Sequence, residues 1–444
     1  MQKDKIVVGL DIGSTKICAI VGRKNDYGKL EILGMGKAVS EGVTRGLVTN
    51  IDKTVEAIMQ AIAEAEQQSG INIRVVNVGI AGQHIKSLKQ RGSITRTSSD
   101  TEISVEDINR LTNDMYRTVI PPGSEIIHVL PQNYTVDYEG GIKDPVGMSG
   151  IKLEADFHII TAQTTAIHNI NKCVRRANLE IENLILEPIA SSMAVLTKEE
   201  KEAGVALIDI GGGTTDIAIF YDNIIRHTAV IPFGGTIITS DIKEGCMVMP
   251  NQAESLKVKF GKAIAEDASW NEVVSIPGLR NRMPKEISVK NLAHIIEARM
   301  EEIIEMVHAE IIRSGYENRL AGGVVITGGG AQLQDAKELF ELVTGLDARI
   351  GYPNEYLGKS KVEVIKNPMY ATPVGLVLAG FQSIDERENR YMQVQATKTT
   401  QPQTQASSTP AKEARKPQGG DFFRRILDKT KSFMIDDFED KNDY

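Results

Sequence analysis

Cysteine is scarce in this sequence. Its 444 residues include three cysteines, Cys18, Cys173 and Cys246, which stand far apart in the chain. They show neither the dense framework of a disulfide-rich secreted domain nor the close pairing of a zinc site. We therefore expect three reduced, structural thiols in a cytosolic protein.

Long hydrophobic runs are also missing. No segment approaches the roughly 20 consecutive apolar residues that a membrane-spanning helix needs. With 41% hydrophobic and 25% charged residues, the composition is that of an ordinary globular protein. The first residues are polar and lead directly into a strand-like run, so neither a secretory signal nor a transit peptide is expected. The sequence predicts a chain that does not cross a bilayer.

The sequence has no excess of positive charge. The formal net charge is -8, and no basic stripe interleaved with aromatic residues occurs in the body of the chain. Binding to a phosphate polymer depends on clustered lysine and arginine. Nucleic acid is therefore not expected as a partner.

The length and the order of sequence patterns indicate several domains. A chain of 444 residues exceeds what one hydrophobic core usually serves. From Ile6 to about Phe381, short β-branched runs alternate with longer helical patterns, which predicts an α/β protein. Residues 83–163 contain four prolines and several strand-like runs, and they predict a small inserted α+β module. Residues 236–317 show almost no strand signal and predict a mostly helical subdomain.

The segment around Asp11 has the chemistry of a phosphate-binding turn. Residues 6–20 read as strand, tight turn and strand. Gly13 lets the backbone approach a phosphate, and Ser14 and Thr15 offer hydroxyl and N–H donors. Lys16 adds positive charge, and Asp11 can hold magnesium through its waters.

The same arrangement returns at Asp209, 198 positions later in the chain. Asp209 and Asp216 would face the metal from the opposite side of a cleft. The donors for the terminal phosphates would be Gly211, Gly212, Gly213, Thr214 and Thr215. A single Asp-Ile-Gly turn is more often an ordinary β-hairpin, but two copies at strand ends favour two halves of one phosphate clamp.

A third glycine-rich segment follows the strand-like run at 324–327. Gly328, Gly329 and Gly330 come directly after it and precede a helical pattern. A nucleoside could lie against bare backbone at such a position. Taken alone, the segment could equally be a turn that packs a helix.

These three segments resemble, in order and spacing, those of the actin, heat-shock chaperone and sugar kinase superfamily. The resemblance implies a two-lobed ATP-binding fold. Residues Leu184–Ser191 and Ala371–Gly380 are similar to the two helices that connect the lobes and would act as the hinge. Taken separately, each could be an ordinary small-residue helix contact.

Over Ile6 to about Met434 the chain resembles the FtsA family of bacterial cell-division proteins. The similarity extends to Glu187-Pro-Ile-Ala-Ser191, to residues 232–242 and to Ala253–Lys257. It implies an actin-like fold with an inserted module at 83–163 in the first lobe. The first lobe would comprise 1–82, 164–195 and 369–386, and the second 196–235 and 318–368, with the helical subdomain at 236–317.

The resemblance also implies further site residues. Gly234 and Gly235 would belong to the nucleotide site, and Glu254 and Lys257 would face the ribose and adenine; the alternative for that pair is an exposed helical ion pair. Glu187 and Asp209 would position water, with ATP hydrolysed slowly or not at all. FtsZ, the tubulin-like division protein, would dock on 236–317. Arg299 is a candidate contact for it, or else a solvated charge on a helix.

The C-terminal part resembles a tethered membrane anchor. Residues 387–420 predict a disordered linker, because Gln395–Gly420 holds no large apolar residue. Apolar residues then return at helical spacing, and residues 422–435 carry a local charge of +3. This pattern predicts an amphipathic helix at 421–435 on an anionic membrane; a packing helix is the alternative. The end at 436–444 has a local charge of -4. The expected membrane-facing residues are Phe422, Phe423, Ile426, Leu427, Phe433 and Met434, with Arg424, Arg425, Lys429 and Lys431 at the headgroups.

These observations favour an ATP- and Mg²⁺-binding cell-division protein that polymerises at the cytoplasmic face of the membrane, holds the FtsZ ring there and helps to recruit later division proteins through the inserted module. Two other classes remain open. An actin-like assembly protein of pilus or secretion machinery would not require the linker and terminal helix. A metabolic kinase would need an acceptor pocket and a separate base, for which the sequence offers no candidates beyond Glu187 and Asp209.

Overall fold

The first lobe begins with three antiparallel strands. The computed structural model describes residues 5–97, 101–278, 283–354, 356–358 and 362–399. Helix α1 starts after Asn50, whose side chain accepts the Lys53 N–H, and it ends at the left-handed Gly70. In chain order the elements are β1 (Ile6–Ile12), β2 (Lys16–Lys24), β3 (Leu30–Val39), β4 (Val43–Thr44), β5 (Leu47–Val48), α1 (Ile51–Ser69) and β6 (Val75–Ile80).

The inserted module follows directly. Its elements are β7 (Ile85–Thr95), α2 (Val105–Met115), β8 (Ser124–Val136), β9 (Glu139–Ile142) and β10 (Lys152–Gln163). The strands form an antiparallel sheet in the order β7-β10-β8-β9. Leu111 and Met115 of α2 share a hydrophobic cluster with Phe157 of the sheet. The α+β insertion that the sequence predicts is therefore present.

The chain then completes the first lobe and enters the second. The connecting elements are α3 (Thr164–Arg176), β11 (Glu180–Leu186), α4 (Glu187–Val195) and α5 (Lys198–Ala203). With β11 the first-lobe sheet has the order β11-β6-β1-β2-β3. The remaining elements are β12 (Val205–Ile210), β13 (Thr215–Tyr221), β14 (Ile224–Ile231), α6 (Gly235–Gly245), α7 (Pro250–Phe260), β15 (Val273–Ile276), β16 (Lys285–Ser288), α8 (Val289–Ser314), β17 (Val324–Thr327), α9 (Ala336–Thr344), β18 (Ala348–Ile350) and α10 (Ala371–Thr399).

The second lobe has one continuous hydrophobic core. Its sheet has the order β14-β13-β12-β17-β18. Ile208 of β12, Leu256 of α7 and Met300 of α8 belong to the same buried cluster. Residues 236–317 are thus mostly helical, as predicted, with a small β15–β16 hairpin that the sequence analysis missed. Most of their buried apolar residues belong to the core of the sheet, and Ala265, Ala268, Val289 and Ala293 form a small separate cluster.

The two connecting helices differ from their predicted bounds. The first begins at Glu187 rather than Leu184, because residues 184–186 pair with β6 as the last part of β11. Pro188 lies in its first turn, where proline is favoured. The second begins at Ala371 but continues to Thr399, past the predicted start of the linker at 387. Residues 385–395 contain good helix formers and neither glycine nor proline, so nothing local ends the helix there.

The chain divides into two units, Met1–Glu388 and Asn389–Tyr444. The first contains both lobes and the insertion. Of the second, the structure describes only the helical residues up to Thr399. The rest of the predicted linker, the amphipathic segment 421–435 and the acidic end lie outside the described residues. No helix within the described ranges is both long and apolar enough to cross a membrane.

A buried histidine joins the inserted module to the second lobe. His158 is 2% exposed, and its Nε2 lies 3.1 Å from Thr228 Oγ1 of β14. Burial, followed by the nearby His227 and Lys89, lowers the pKa of His158 to about 4. The neutral ring is thus part of the packed interface between the module and the lobe.

Acid should weaken this interface. Between pH 6.5 and 4 the unfolded chain binds a proton at His158 that the folded chain does not, so stability is lost as pH falls through this window. From pH 6.5 to 5 the loss is roughly 2 kcal/mol. We expect His158→Gln to flatten the decline in melting temperature between pH 7 and pH 5. Replacing the exposed His294 by glutamine serves as the control, and an unchanged decline in His158→Gln would refute this account.

Candidate phosphate-binding site

Two glycine turns form the centre of the candidate site. The strand, tight turn and strand predicted at Asp11 and Asp209 are present as β1–β2 and β12–β13. In the first turn the Gly13 N–H donates to the Lys16 carbonyl at 3.1 Å. In the second, the Gly211 N–H donates to the Thr214 carbonyl at 2.9 Å. The two turns therefore have the same local construction.

The turns face each other across the interface of the lobes and touch. A Cβ atom added at Gly212 would lie 2.2 Å from Thr15 Cγ2, and one at Gly213 would lie 2.6 Å from Ser14 Oγ. A larger residue at either position would displace the side chain of the facing turn. The glycines thus allow the backbone of one turn to approach the hydroxyl side chains of the other.

A cavity of about 100 Å³ lies between the turns. It brings together most of the predicted phosphate and metal residues. Gly46, Ala81 and Met369 also line it and were not predicted. The lining comprises Asp11, Ile12, Gly13, Ser14, Thr15, Lys16, Gly46, Ala81, Glu187, Asp209, Gly211, Gly212, Gly213, Thr214, Asp216, Gly328, Gly329, Met369 and Thr372. Thr215 lies beside it, and its hydroxyl donates to the Phe233 carbonyl at 2.8 Å.

Four carboxyl groups line this small cavity. Burial raises the pKa of Asp11, and Asp209 raises it further against the opposing effect of Lys16. Burial also raises the pKa of Asp209, which hydrogen bonds from Ser191 and Thr372 oppose. Burial and Asp209 together raise the pKa of Asp216 to about 7. Burial and then the three aspartates raise the pKa of Glu187 well above its usual value.

Lys16 is the cation that faces these carboxyl groups. Its Nζ donates to the Met369 carbonyl at 2.7 Å and lies 3.5 Å from Asp11 Oδ2. Burial acts to lower the pKa of Lys16, but the negative neighbours, Asp11 first, outweigh it and the pKa is raised. One ammonium group balances only part of the negative charge that the four carboxyl groups would carry when ionised.

The residues present fit a hydrated divalent cation. Asp216 Oδ1 is buried without a hydrogen-bond partner, so the site holds an acceptor that its own donors do not satisfy. Among the described residues no three acidic, histidine or cysteine side chains form a group that could hold a metal ion directly. Oxygen ligands with intervening waters are the coordination that Mg²⁺ favours in phosphate sites.

The residues of the third glycine segment have two different surroundings, the cavity and the second-lobe sheet. Gly328 adopts φ +85°, and a Cβ there would lie 2.4 Å from Asp209 Oδ1. Gly329 has nothing within 4 Å of such a Cβ, so its backbone is open. Gly330 instead packs on Ile210, 2.3 Å from its added Cβ. Gly328 and Gly329 line the cavity, whereas Gly330 holds the segment against β12.

The predicted nucleoside residues lie beside the cavity rather than in its lining. The Gly235 N–H donates to the Gly211 carbonyl at 2.9 Å, so Gly234 and Gly235 brace the second turn. Lys257 Nζ donates to the Gly235 carbonyl at 2.8 Å and lies 2.8 Å from Glu254 Oε2. The two side chains form an ion pair at the α6–α7 face next to the glycine turn, with Glu254 exposed and Lys257 largely buried, and their role towards a nucleoside stays a prediction.

The residues that hold Asp209 were missed. Ser191 of α4 donates to Asp209 Oδ2 at 2.6 Å, and Thr372 of α10 donates to the same oxygen at 3.1 Å. Both lie in the connecting segments that the sequence analysis noted for small residues. The feature of the sequence that could have indicated this role is a hydroxyl residue among small apolar residues in each connecting segment.

Arg299 lies on α8 away from this site. It makes a two-pronged contact with Asp241 of α6, Nε to Oδ2 at 2.6 Å and Nη2 to Oδ1 at 3.1 Å. It also pairs with Glu302 one turn along α8. Arg299 therefore links two helices of 236–317, and its contact with FtsZ stays a prediction.

Known proteins resemble the chain in sequence and in fold. The cell division protein FtsA of Pseudomonas aeruginosa is 43% identical over 382 residues, covering 86% of this chain and 91% of that protein. Among solved structures, the PilM–PilN type IV pilus biogenesis complex gives a TM-score of 0.59 at 15% identity, covering 84% of this chain and 98% of that one. MreB5 of Spiroplasma citri bound to ADP gives 0.50 at 14% identity, covering 88% and 98%. At such identities the structures show the fold alone.

Two family profiles match parts of the chain. Residues 206–375 match the family described as "Cell division protein FtsA", and residues 82–161 match the "SHS2 domain inserted in FTSA". The second match covers the α+β insertion, and the fold neighbours confirm the predicted actin-like fold class. The chain therefore belongs to the FtsA family of bacterial cell-division proteins.

Proposed function

We propose that this chain is an ATP-dependent adaptor that polymerises on the cytoplasmic face of the cell membrane and holds FtsZ there during division. The observation that carries the proposal is the cavity between the two glycine turns, where backbone donors and Lys16 meet four carboxyl groups. Membership of the FtsA family supplies the cellular process. The predicted amphipathic terminus supplies the membrane attachment.

ATP with Mg²⁺ is the ligand that suits the cavity. Gly13, Ser14 and Thr15 on one side and Gly211–Thr215 on the other would bind the phosphates, with Lys16 as their cationic partner. Asp11, Asp209 and Asp216 would hold Mg²⁺ through its waters. When bound, the ion would neutralise charge on the phosphates. The fold neighbour MreB5 is itself described as bound to ADP.

Slow hydrolysis is part of the proposal. A general base must be ionised to take a proton from water. Burial and the three aspartates raise the pKa of Glu187 well above its usual value, which disfavours the ionised form that a general base requires. In this arrangement ATP acts as a control on assembly rather than as a rapidly consumed substrate.

Attachment to the membrane would depend on assembly. A single short amphipathic helix binds a lipid surface weakly and reversibly. A filament presents many such helices at once, so each bound subunit raises the effective concentration of its neighbours at the surface. Polymerisation and membrane binding should therefore strengthen each other. The inserted module remains the proposed contact for later division proteins.

Co-sedimentation with anionic liposomes tests the proposal as a whole. We expect FtsZ to sediment with the vesicles when this protein, ATP and Mg²⁺ are all present, and to stay in solution when any one is left out. An FtsZ lacking its C-terminal tail is the matched control. Recruitment that is indifferent to ATP would contradict the proposed control by nucleotide, and an absence of recruitment would contradict the adaptor role.

A substitution on α8 tests where the FtsZ tail docks. Deleting 236–317 would remove part of the second-lobe core, so a point change is the sharper test. We expect Arg299→Glu to weaken binding of the FtsZ C-terminal peptide by about tenfold, because it reverses a charge on the proposed docking surface. Arg313→Glu is the control for charge reversal on α8, since Arg313 is an exposed residue of the same helix that pairs with Glu310 within one turn. Equal affinities measured by fluorescence anisotropy would exclude this contact.

A further inference from the structure

The two connecting helices cross in direct backbone contact. A Cβ atom added at Gly375 of α10 would lie 1.9 Å from the carbonyl oxygen of Ala190 in α4. Ala190 is itself fully buried. A crossing this close leaves no side chains between the helices. If the lobes rotate relative to each other, the crossing angle of α4 and α10 therefore changes at this contact.

A buried hydroxyl pair lies immediately beside the crossing. Ser191 follows Ala190 on α4, and Thr372 lies one turn before Gly375 on α10. Their hydroxyl oxygens are 3.0 Å apart, and both lie within hydrogen-bond distance of Asp209 Oδ2, at 2.6 and 3.1 Å. Ser191 is 0% exposed, and Thr372 and Asp209 are each 8% exposed. One carboxylate oxygen thus connects both crossing helices to β12.

These hydroxyls are not satisfied in the usual local way. A serine within a helix commonly donates to a carbonyl of its own preceding turn. The adjacent Ser192 does so, donating to the Ile189 carbonyl at 2.7 Å. Ser191 instead reaches out of its helix to Asp209, a residue of another element. The contact therefore depends on the relative position of α4, α10 and β12.

The two hydroxyl groups have too few hydrogens to form all of their close contacts as hydrogen bonds at once, so the hydrogen-bonding pattern can change. Two hydroxyls have two hydrogens between them, but the three oxygens make three close contacts. When Asp209 carries its full charge, both hydrogens are best directed at it, because a charged acceptor gives the stronger bond. A water of a bound cation would compete for Asp209 Oδ2, so that one hydroxyl could turn to the other and release Asp209 from one helix.

We propose that Ser191 and Thr372 are positioning residues that couple occupancy of the site at Asp209 to the angle at which α4 and α10 cross. The inference rests on the proposed binding of Mg²⁺ and ATP. In this inference, the two residues transmit ligand binding at Asp209 to the angle between the lobes. Neither residue is required to touch the nucleotide.

The test uses the full-length protein with one dye on each lobe. Gln60→Cys in α1 and Asn251→Cys in α7 provide exposed attachment points, and the three native cysteines are buried. Energy transfer between the dyes reports the lobe angle, and titration with a fluorescent ATP analogue, in Mg²⁺ or in EDTA, reports affinity. The variants are Thr372→Val and Ser191→Ala, with Thr372→Ser as the conservative rescue and Ser192→Ala as the control.

In the parent protein, Mg²⁺ with ATP should change the energy transfer. In Thr372→Val and in Ser191→Ala that change should be lost, and the gain in affinity from Mg²⁺ should shrink by about tenfold. Thr372→Ser and Ser192→Ala should behave as the parent does.

The outcomes separate the inference from the function on which it rests. A parent protein that binds no ATP overturns both. A parent that binds ATP without a change in energy transfer overturns the coupling alone. If Thr372→Val and Ser191→Ala both respond like the parent, the hydroxyl pair has no role in positioning. If Thr372→Ser also loses the response, a hydroxyl at residue 372 is not sufficient to position α10, and the proposed role of the hydroxyl pair is overturned.

Discussion

Replacing Lys16 by methionine and replacing Asp216 by asparagine should both weaken Mg²⁺-dependent ATP binding by at least about a hundredfold, while changing the stability of the ligand-free protein in opposite directions. Lys16 is the cation of a cavity that holds four carboxyl groups, and its Nζ also holds the Met369 carbonyl. Its loss should lower the melting temperature by roughly 5 °C. Asp216 adds to the crowding of carboxyl groups, so its neutralisation should raise the melting temperature.

The pH dependence of stability tests why Asp216→Asn should raise the melting temperature. The pKa of Asp216 is raised to about 7, so between pH 4 and 7 the folded chain holds a proton that the unfolded chain has released. Stability therefore falls as pH rises through this window, and the full penalty is present above pH 7. The gain from Asp216→Asn should accordingly be larger at pH 8 than at pH 6.

Calorimetric titration and thermal melting measure these effects. Lys53→Met is a suitable control, because Lys53 forms an exposed ion pair with Glu41 and neither residue lines the cavity. If Asp216→Asn lowered the melting temperature, or if Lys16→Met bound ATP normally, the account of an electrostatically strained phosphate site would be wrong.

Removing residues 421–444 should release the protein from anionic liposomes while leaving ATP binding unchanged. The segment holds the predicted apolar face and the basic residues at 424, 425, 429 and 431. Each basic residue near an anionic surface contributes about 1 kcal/mol. Since the nucleotide cavity is built from residues before 373, it does not depend on the terminus.

A shorter deletion provides the matched comparison. Residues 436–444 have a local charge of -4, so removing them alone should strengthen liposome binding. Sedimentation with vesicles of increasing anionic lipid content measures both variants. Unchanged sedimentation after the longer deletion would exclude the anchor, and weaker sedimentation after the shorter one would show that the acidic end takes part in binding.

Local chemistry made the phosphate turns predictable from sequence. Asp-Ile-Gly followed by small and hydroxyl residues at Asp11 and Asp209 specifies a tight turn wherever it occurs, and its recurrence at strand ends indicated the clamp. The roles of Ser191 and Thr372 were not predictable in this way. They stand 181 positions apart, and their shared partner emerges only when α4 and α10 cross beside β12.

The predicted boundaries of helices and strands were wrong where the local sequence fits more than one secondary structure. Residues 184–186 are apolar and fit either a helix or a buried strand, and pairing with β6 decides for the strand. The independence of 236–317 was suggested by its helical pattern. Periodicity shows which face of a helix is buried but not which neighbour covers it, and here the neighbour is the second-lobe sheet.

The continuous core of the second lobe also has a mechanical meaning. If FtsZ pulls on α7 or α8, the load enters helices whose buried faces pack on the same cluster as β12 and β13. Close-packed interiors are stiff and transmit strain. Tension applied by FtsZ would therefore be transmitted through this stiff core to Asp209 and Asp216. Tension as well as nucleotide would then influence the geometry of the cavity.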